Sequence, residues 1–236
     1  MKFYTFGSPN NKAILLIHTL FTDANFFEPI TDILAEKYFV ITVTLSGHYP
    51  NSTYQSTEEE IRQIKTFLNE SNISSLYVVA GFSLGGNIAY NFFSENTSMI
   101  EKAIIDSAPL FCFPKFIRKH FYKKYSKCLK KIKLGNCDVA KELNKCFNGM
   151  GELQKKVAPI VSYDSLRNLV ESCYYNKKHK LSKAEISKIT FVYGTKDVAR
   201  LCKYRIRKYH IRKMKGLGHC GLYHNDPLKW VKEFIL

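Results

Sequence analysis

The chain has 236 residues, which is enough for one large α/β domain with a sizeable hydrophobic core. Hydrophobic residues make up 45% of it, too large a share for a disordered protein. No apolar run reaches the roughly 18 residues that a transmembrane helix needs, and residues 1–9 turn polar before a signal-peptide core could form. We therefore expect a soluble, cytoplasmic protein.

The formal net charge is +16, and two segments carry it. Residues 111–180 hold 17 Lys and Arg against 5 Asp and Glu, and residues 198–225 hold 8 Lys and Arg with no acidic residue. A regional charge of this kind can attract an anionic partner. Composition offers a simpler explanation, because lysine outnumbers arginine 29 to 7, as an AT-rich genome would produce. No nucleic-acid-binding motif accompanies the charge, so we expect no nucleic-acid partner.

Seven cysteines occur, an odd number, and none forms a C-x-x-C pair. Without a signal peptide, reduced thiols are a better interpretation than a disulfide framework. The Cys and His residues also lack the spacing of a zinc site. We expect no metal and no cofactor.

Short β-branched runs alternate with amphipathic helical patterns along the chain. This alternation predicts an α/β fold with a mostly parallel central sheet flanked by helices. The predicted strands are 13–18, 39–45, 76–80, 102–107, 188–193 and 209–215, and the predicted helices include 26–37, 57–70, 87–93 and 227–235. Ser56 or Thr57 before Glu59 and Glu60 forms a capping-box pattern, and Asp226 before Pro227 is typical of a helix start.

Residues 111–180 interrupt this alternation, because they contain no convincing strand. Apolar residues recur at helical spacing from Phe113 to Ile132, and basic residues fill the opposite side. This pattern predicts a basic amphipathic helix. We interpret the whole segment as a helical cap, residues 111–180, inserted into a core of residues 1–110 and 181–236.

A G-x-S-x-G motif, Gly81 to Gly85, lies between a predicted strand and a predicted helix. Such a turn holds its serine in strained backbone geometry, so its neighbours must lack a Cβ that would clash. The turn exposes the Ser83 Oγ and places the Leu84 N–H at a helix N-terminus, where it can stabilise an oxyanion. We predict Ser83 as a catalytic nucleophile, with a purely structural glycine turn as the alternative.

A serine nucleophile needs a base, and His219 lies in a glycine-rich loop after the last predicted strand. His210, within that strand, and His224, near the final helix, are weaker candidates. The base needs a carboxylate to orient it and to stabilise its charged form. Asp197 follows the penultimate strand, and we prefer it to Asp106, which ends another strand. An Asp in an ordinary surface turn is the alternative interpretation of Asp197.

The loop after the first apolar strand is expected to supply a second oxyanion donor, the backbone N–H of Leu20 or Phe21. His18, which precedes this loop, is predicted to brace it rather than to act as a second base. Several phenylalanines are candidates for lining an apolar acyl pocket, with core packing as the alternative; they are Phe21, Phe26, Phe27, Phe82, Phe111 and Phe113.

These motifs together resemble the α/β-hydrolase superfamily, specifically its small serine esterase, lipase and thioesterase-like members with a helical cap. The resemblance covers essentially the whole chain outside 111–180. The matching residues are His18, Ser-Gly-His at 46–48, Gly-Phe-Ser-Leu-Gly-Gly at 81–86, the turn 194–197, and Gly218 with His219. The family usually has His-Gly at 18–19 and Pro-Gly-His-Gly at 46–49, where this chain has His-Thr and Ser-Gly-His-Tyr. These departures concern the oxyanion loop, and hence the substrate, but leave the triad intact.

The resemblance implies an acyl-enzyme mechanism. His219, oriented by Asp197, takes the proton from Ser83 as its Oγ attacks an acyl carbonyl. Backbone N–H groups of Leu84 and of the Leu20/Phe21 region hold the oxyanion, and His219 then protonates the leaving group. Water activated by His219 releases the acid.

Three functional hypotheses follow. The first is a carboxylic ester hydrolase acting on a small or medium acyl substrate. The second keeps the triad but acts on an anionic acyl thioester such as acyl-CoA, attracted by the basic residues. The third is a membrane- or partner-binding protein that uses the basic cap helix on a hydrolase scaffold, with a merely solvated helix face as the simpler explanation.

Overall fold

The computed structural model describes residues 1–147 and 149–236. The strands are β1 (Lys2–Phe6), β2 (Ala13–Ile17), β3 (Phe39–Thr44), β4 (Leu76–Phe82), β5 (Ile100–Asp106), β6 (Ile189–Gly194) and β7 (His210–Met214). They form one seven-stranded sheet in the order β1-β3-β2-β4-β5-β6-β7. β1 pairs with β3 in the antiparallel direction, and the other neighbouring strands pair in parallel.

Helices connect the parallel strands. They are α1 (Glu28–Ala35), α2 (Thr57–Glu70), α3 (Leu84–Glu95), α4 (Lys115–Lys133), α5 (Val139–Phe147), α6 (Gly151–Gln154), α7 (Tyr163–Tyr174), α8 (Lys183–Ser187), α9 (Gly221–Asn225) and α10 (Pro227–Phe234). Three 3-10 segments cover Ala24–Phe27, Ala158–Ile160 and Val198–Tyr204. The predicted fold class, a mostly parallel sheet flanked by helices, is confirmed.

Both faces of the sheet are buried, which explains why its central strands are apolar without interruption. Every residue of β2 is buried, and successive side chains alternate between the two faces. Leu15 and Ile17 pack in the hydrophobic cluster that includes α2 and α3. Ile14 and Leu16 pack in the cluster that includes α1 and α10, where Trp230 is fully buried.

The local signals of helix starts match the structure closely. The Ser56 side chain caps α2 by accepting a hydrogen bond from the Glu59 N–H at 3.2 Å. Asp226 caps α10 by accepting from the Lys229 N–H at 2.9 Å, with Pro227 in the first turn. Each cap satisfies an N–H that would otherwise have no partner in the helix.

The structure differs from the prediction at β1 and at the start of α3. The sequence pattern missed β1, because four of its five residues are exposed and an edge strand with little buried surface shows no hydrophobic period. The predicted helix 87–93 was too short, since α3 begins at Leu84, directly after Ser83. Gly85 and Gly86 lower the intrinsic helix propensity of that first turn, which only tertiary packing restores.

Helices α4 to α7 occupy most of the segment between β5 and β6. The buried side of α4 consists of Tyr125, Cys128, Leu129 and Ile132. Phe116, predicted on the same apolar stripe, is 71% exposed. The division into a core and a cap unit of residues 111–180 stays a prediction. No helix among the described residues is both long and apolar enough to cross a membrane.

Candidate active site

Ser83 occupies a strained position between β4 and α3. Its backbone has φ 53° and ψ −111°, in the positive-φ region that non-glycine residues rarely adopt. The Ser83 N–H donates to the Asp106 carbonyl oxygen at 2.8 Å, which ties the turn to the neighbouring strand β5. This geometry turns the serine away from the line of β4 and toward the end of the sheet where the parallel strands finish.

The glycines around Ser83 are required by close backbone contacts. A Cβ on Gly81 would overlap the Gly85 carbonyl group, and a Cβ on Gly85 would overlap the carbonyl oxygens of Ile17 and His18. The turn therefore packs directly against the end of β2, which brings the loop after β2 next to Ser83. Only residues without a side chain allow this approach.

His219 and Asp197 form a hydrogen-bonded pair. The His219 Nδ1 lies 3.0 Å from the Asp197 Oδ1, although the two residues are 22 positions apart. Asp197 is buried, and its Oδ1 also accepts from the Ala199 N–H at 2.9 Å. The His219 side chain is 24% exposed. The carboxylate therefore holds one ring nitrogen of His219, leaving Nε2 available for another partner.

The rival residues occupy different surroundings. His210 and His224 are exposed. The Asp106 Oδ2 accepts from the Trp230 Nε1–H at 2.9 Å, and its Oδ1 accepts from the Ser107 hydroxyl at 2.8 Å. Burial raises the pKa of Asp106 to about 7. Asp106 is therefore engaged by α10 and by its own neighbour rather than by His219.

Sequence reasoning missed the supporting role of Ser107. Its backbone φ is 54°, and its Oγ accepts from the Cys220 N–H at 2.8 Å. The Asp106–Ser107 pair thus holds the residue that directly follows His219. The only signals in the sequence were a serine after a strand end and a single tryptophan near the C-terminus, which are too weak to predict the contact.

The predicted oxyanion donors are Leu84, which follows Ser83, and Leu20 and Phe21 in the loop after β2. Leu84 is the first residue of α3, so its N–H has no acceptor within the helix. Leu20 lines the same cavity as Ser83, and Phe21 has φ 62°. Neither N–H of these two loop residues donates to a described atom. The Leu20 carbonyl oxygen accepts from the Gln154 Nε2 at 3.0 Å, which ties the loop to α6.

His18 braces this loop from beneath. Its Nε2 accepts from the Leu45 N–H at 3.0 Å, and its Nδ1 lies 2.7 Å from the Thr19 carbonyl oxygen. These partners require a neutral ring that carries its proton on Nδ1. Burial lowers the pKa of His18 to about 4. A ring with both nitrogens engaged is unsuited to a second proton-transfer role.

His48 packs edge-on against His18, with ring centroids 5.1 Å apart. Its Nδ1 bonds the Ser46 carbonyl oxygen at 3.1 Å, and its buried Nε2 has no partner among the described atoms. Burial, with a contribution from His18, lowers the pKa of His48 from 6.5 to about 3. The folded protein therefore resists protonation of His48, whereas the unfolded chain accepts the proton.

We expect His48 to make the folded protein acid-sensitive. Above pH 6.5 both states hold His48 neutral, and as the pH falls toward 3 only the unfolded state gains the proton. Stability attributable to His48 should thus be complete above pH 6.5 and fall by about 1.4 kcal/mol per pH unit below it. His48→Asn keeps a donor near Nδ1 and cannot titrate. Urea unfolding at pH 4.5–8 should show the wild type losing stability relative to this variant on acidification; parallel curves would contradict the expectation.

A cavity of about 550 Å³ contains Ser83, Asp197 and His219. Aromatic and apolar side chains, most of them from residues 111–180, form much of its remaining wall; they include Phe111, Phe113, Phe121, Tyr125, Phe147, Met150 and Tyr174. Lys124 adds a cation. The hydrogen bonds found among the described residues do not include one between Ser83 Oγ and His219.

Of the six phenylalanines considered for an acyl pocket, two line this cavity and four pack elsewhere. Phe111 and Phe113 do line it. Phe26, Phe27 and Phe82 instead pack with one another and with Tyr223 on the opposite side of the sheet. Phe21 is buried and contacts the Phe147 ring edge-on at 5.4 Å. Side chains alternate between the two faces along a strand, and Phe82 in β4 points to the face opposite the cavity.

No group of three or more His, Cys, Asp or Glu side chains in residues 1–147 and 149–236 is arranged to hold a metal ion.

Known proteins share this architecture. A family model described as the α/β-hydrolase fold matches residues 12–126, from the start of β2 into α4. An α/β-hydrolase family protein from Desulfitobacterium hafniense has a solved structure that is similar over 98% of both chains, with a TM-score of 0.77 at 17% identity. The chain has the α/β-hydrolase fold. In this superfamily the nucleophile occupies a strained strand-to-helix turn, and Asp or Glu and then His follow it in the chain.

Other α/β-hydrolases extend the comparison. A carboxylesterase structure from Nitrososphaera gargenis is similar over 98% of this chain and 91% of that one, with a TM-score of 0.73 at 13% identity. A human serine hydrolase-like protein is 26% identical over 113 residues, which cover 44% of this chain and 54% of the relative. The match thus spans about half the length of that human relative. At these identities the solved structures establish the fold.

Proposed function

We propose that this α/β-hydrolase is a serine hydrolase that cleaves a carboxylic ester with a small or medium acyl group. Ser83 is the nucleophile, His219 the base and Asp197 the acid that orients it. The observation that carries the proposal is the 3.0 Å contact between His219 and Asp197 in the cavity that also contains Ser83. The carboxylesterase and serine hydrolase-like proteins similar to this chain support the same class of reaction.

The geometry supports a two-step acyl transfer. Asp197 binds Nδ1 of His219, so Nε2 is the nitrogen that accepts the Ser83 proton as Oγ attacks the carbonyl carbon. The N–H groups of Leu84 and of Leu20 or Phe21 stabilise the oxyanion. His219 returns its proton to the leaving alcohol, and a water molecule then repeats the sequence on the acyl-enzyme. In unliganded enzymes the serine–histidine bond is often long and tightens when substrate binds.

The cavity wall favours an apolar acyl group. Phe111, Phe113 and Phe121 stack along one side, with centroids of Phe111 and Phe113 4.5 Å apart and those of Phe113 and Phe121 6.2 Å apart. Tyr125 and Tyr174 bond to each other through their hydroxyl groups at 2.6 Å, so both hydroxyls already have a partner. Binding of an acyl chain against such a wall is favourable, because apolar surface of both is removed from water. A volume of about 550 Å³ suits a small or medium acyl group rather than a long lipid.

The membrane-binding alternative is less well supported. An amphipathic helix lies on a bilayer through its apolar side. The apolar side of α4 is occupied by the protein itself, because Tyr125, Cys128, Leu129 and Ile132 are buried. What α4 presents to solvent is mainly its lysine-rich face.

We expect a fluorophosphonate probe to label the native protein on Ser83. Peptide mapping should place the adduct on the peptide that contains Gly81 to Gly85. Labelling should disappear in urea, because only the folded active site activates the Ser83 hydroxyl. The matched assay is hydrolysis of p-nitrophenyl esters of increasing acyl length, with preference for the shorter ones. An adduct on another residue, or labelling that survives unfolding, would contradict the assignment of Ser83.

A further inference from the structure

A second cavity lies beside the active-site cavity, against the edge strand β7. Its volume is about 400 Å³, and four basic side chains line it: Arg200, Lys203, Arg207 and Lys213. Alternation along β7 places Ile211 and Lys213 on this side, whereas Met214 packs in the core of the other face. We call this cavity the basic groove.

The charges of the basic groove are not neutralised by the protein. No described carboxylate forms a salt bridge with any of its four basic side chains. Residues 198–225 contain no acidic residue that could do so locally. Neighbouring arginines are engaged elsewhere, since Arg205 donates to the carbonyl oxygens of Leu110 and Asn176, and Arg212 pairs with Glu233. Four cations around one concavity repel one another, and a bound anion would relieve that repulsion.

The arginine content of this region differs from that of the rest of the chain. Four of the seven arginines fall within residues 200–212, in a protein where lysine outnumbers arginine 29 to 7, and two of the four, Arg200 and Arg207, line the groove. A general bias toward lysine codons accounts for a basic chain but not for this clustering. The guanidinium group binds phosphate oxygens through two parallel hydrogen bonds, which an ammonium group cannot do. The composition of the groove therefore favours a phosphoryl group over a simple carboxylate.

The 3-10 segment Val198–Tyr204 separates the basic groove from the active-site cavity. Val198, Ala199 and Leu201 line the side of Ser83, whereas Arg200 and Lys203 line the groove. Tyr204 lines both cavities and is 62% exposed. Asp197 caps the N-terminus of this segment, so the groove is attached directly to the residue that holds His219. A ligand crossing the exposed Tyr204 would reach from one cavity to the other.

We propose that the basic groove binds the phosphorylated part of the substrate's leaving group while the acyl group occupies the cavity of Ser83. The inference rests on the proposed serine hydrolase activity. The substrate class is an acyl ester or thioester of a phosphorylated alcohol or thiol. Ser83 forms the acyl bond, the carbonyl bond to the leaving oxygen or sulfur breaks, and His219 supplies its proton. No bond to phosphorus changes, and water later releases the carboxylic acid.

Direct binding tests the groove independently of catalysis. Isothermal titration calorimetry with pyrophosphate should show binding to the wild-type protein, weakened about tenfold or more in Arg200→Gln/Arg207→Gln. The matched control, Lys127→Gln/Lys130→Gln, removes the same charge from the exposed side of α4 and should bind like the wild type. If both variants bound pyrophosphate equally weakly, the loss of net charge would explain the effect and the proposal would be overturned. The absence of pyrophosphate binding to the wild-type protein would also overturn it.

A matched substrate pair tests the link to Ser83. Butyryl-CoA and the butyryl thioester of N-acetylcysteamine share the reacting bond, but only the first carries phosphoryl groups. The ratio of their kcat/KM values should exceed one in the wild type and fall about tenfold in the groove variant, with the control variant unchanged. An unchanged ratio would overturn the proposal.

Two further outcomes separate the proposals. Specific pyrophosphate binding without turnover of any ester or thioester would overturn the proposed hydrolase function and leave the groove as a phosphate site. The protein could instead bind vesicles rich in anionic lipid, lose that binding with the groove substitutions, and show no binding of soluble pyrophosphate. This outcome would assign the groove to a membrane surface and overturn the inference.

Discussion

Ser83→Ala should lower kcat for a short p-nitrophenyl ester by about 10⁵- to 10⁶-fold. The change removes the Oγ that forms the acyl-enzyme, whereas the backbone that shapes the turn is held by other contacts. Gly81 and Gly85 still allow the close packing onto β2, and the Ser83 N–H still donates to Asp106. Thermal unfolding should therefore shift little.

The matched control for this loss is Ser94→Ala. Ser94 lies on the same helix, α3, and its hydroxyl donates to the Tyr90 carbonyl oxygen at 2.7 Å, away from the proposed reacting atoms. That variant should retain wild-type kcat. Turnover by Ser83→Ala above about one per cent of the wild type would require another nucleophile and would contradict the proposed mechanism.

Asp197→Asn should lower kcat by about 10⁴-fold, because an amide favours the wrong tautomer of His219 and does not stabilise its charged form. Asp106→Asn is the informative comparison, since both residues are buried aspartates at or just after the end of a strand. Asp106 accepts from Trp230 and from Ser107, and an amide has only one acceptor oxygen for these two donors. That variant should lose about 1–3 kcal/mol of stability and much less of its activity.

Kinetics and urea unfolding of the two aspartate variants, both measured at pH 8, separate their roles. Full activity in Asp197→Asn together with an inactive but stably folded Asp106→Asn would reverse the assignment. If both variants kept their activity, no aspartate at either position could orient His219. The comparison works because the two substitutions are chemically identical and differ only in the partners of the carboxylate.

Some features were predictable because their signals are local. The strand-to-helix turn at Ser83 is encoded within Leu76–Glu95, a stretch in which β4 leads directly into α3. The helix starts at Ser56 and Asp226 depend on a side chain and an N–H three residues away. Physical constraints of this range involve residues close together in the chain, and the predicted fold class followed from them.

Contacts between distant residues were harder to predict. The sequence contains two aspartates at strand ends, and chain position alone favoured Asp197. The structure separates them through their partners, since Asp197 meets His219 and Asp106 meets Trp230, 124 residues away. The same limit explains why the sequence did not show which phenylalanines line the cavity, because Phe82 and Phe111 pack on opposite faces of the sheet.

The sequence by itself determined the strand-to-helix turn at Ser83, the α/β order and the presence of two basic regions, because each depends on residues close together in the chain. Only the tertiary structure decided which carboxylate reaches His219 and which aromatic rings surround Ser83. It also decided that Arg200, Lys203, Arg207 and Lys213 share one groove rather than a convex surface. Those outcomes depend on which strand neighbours which and on the face each side chain occupies, and a linear pattern of residues does not specify either.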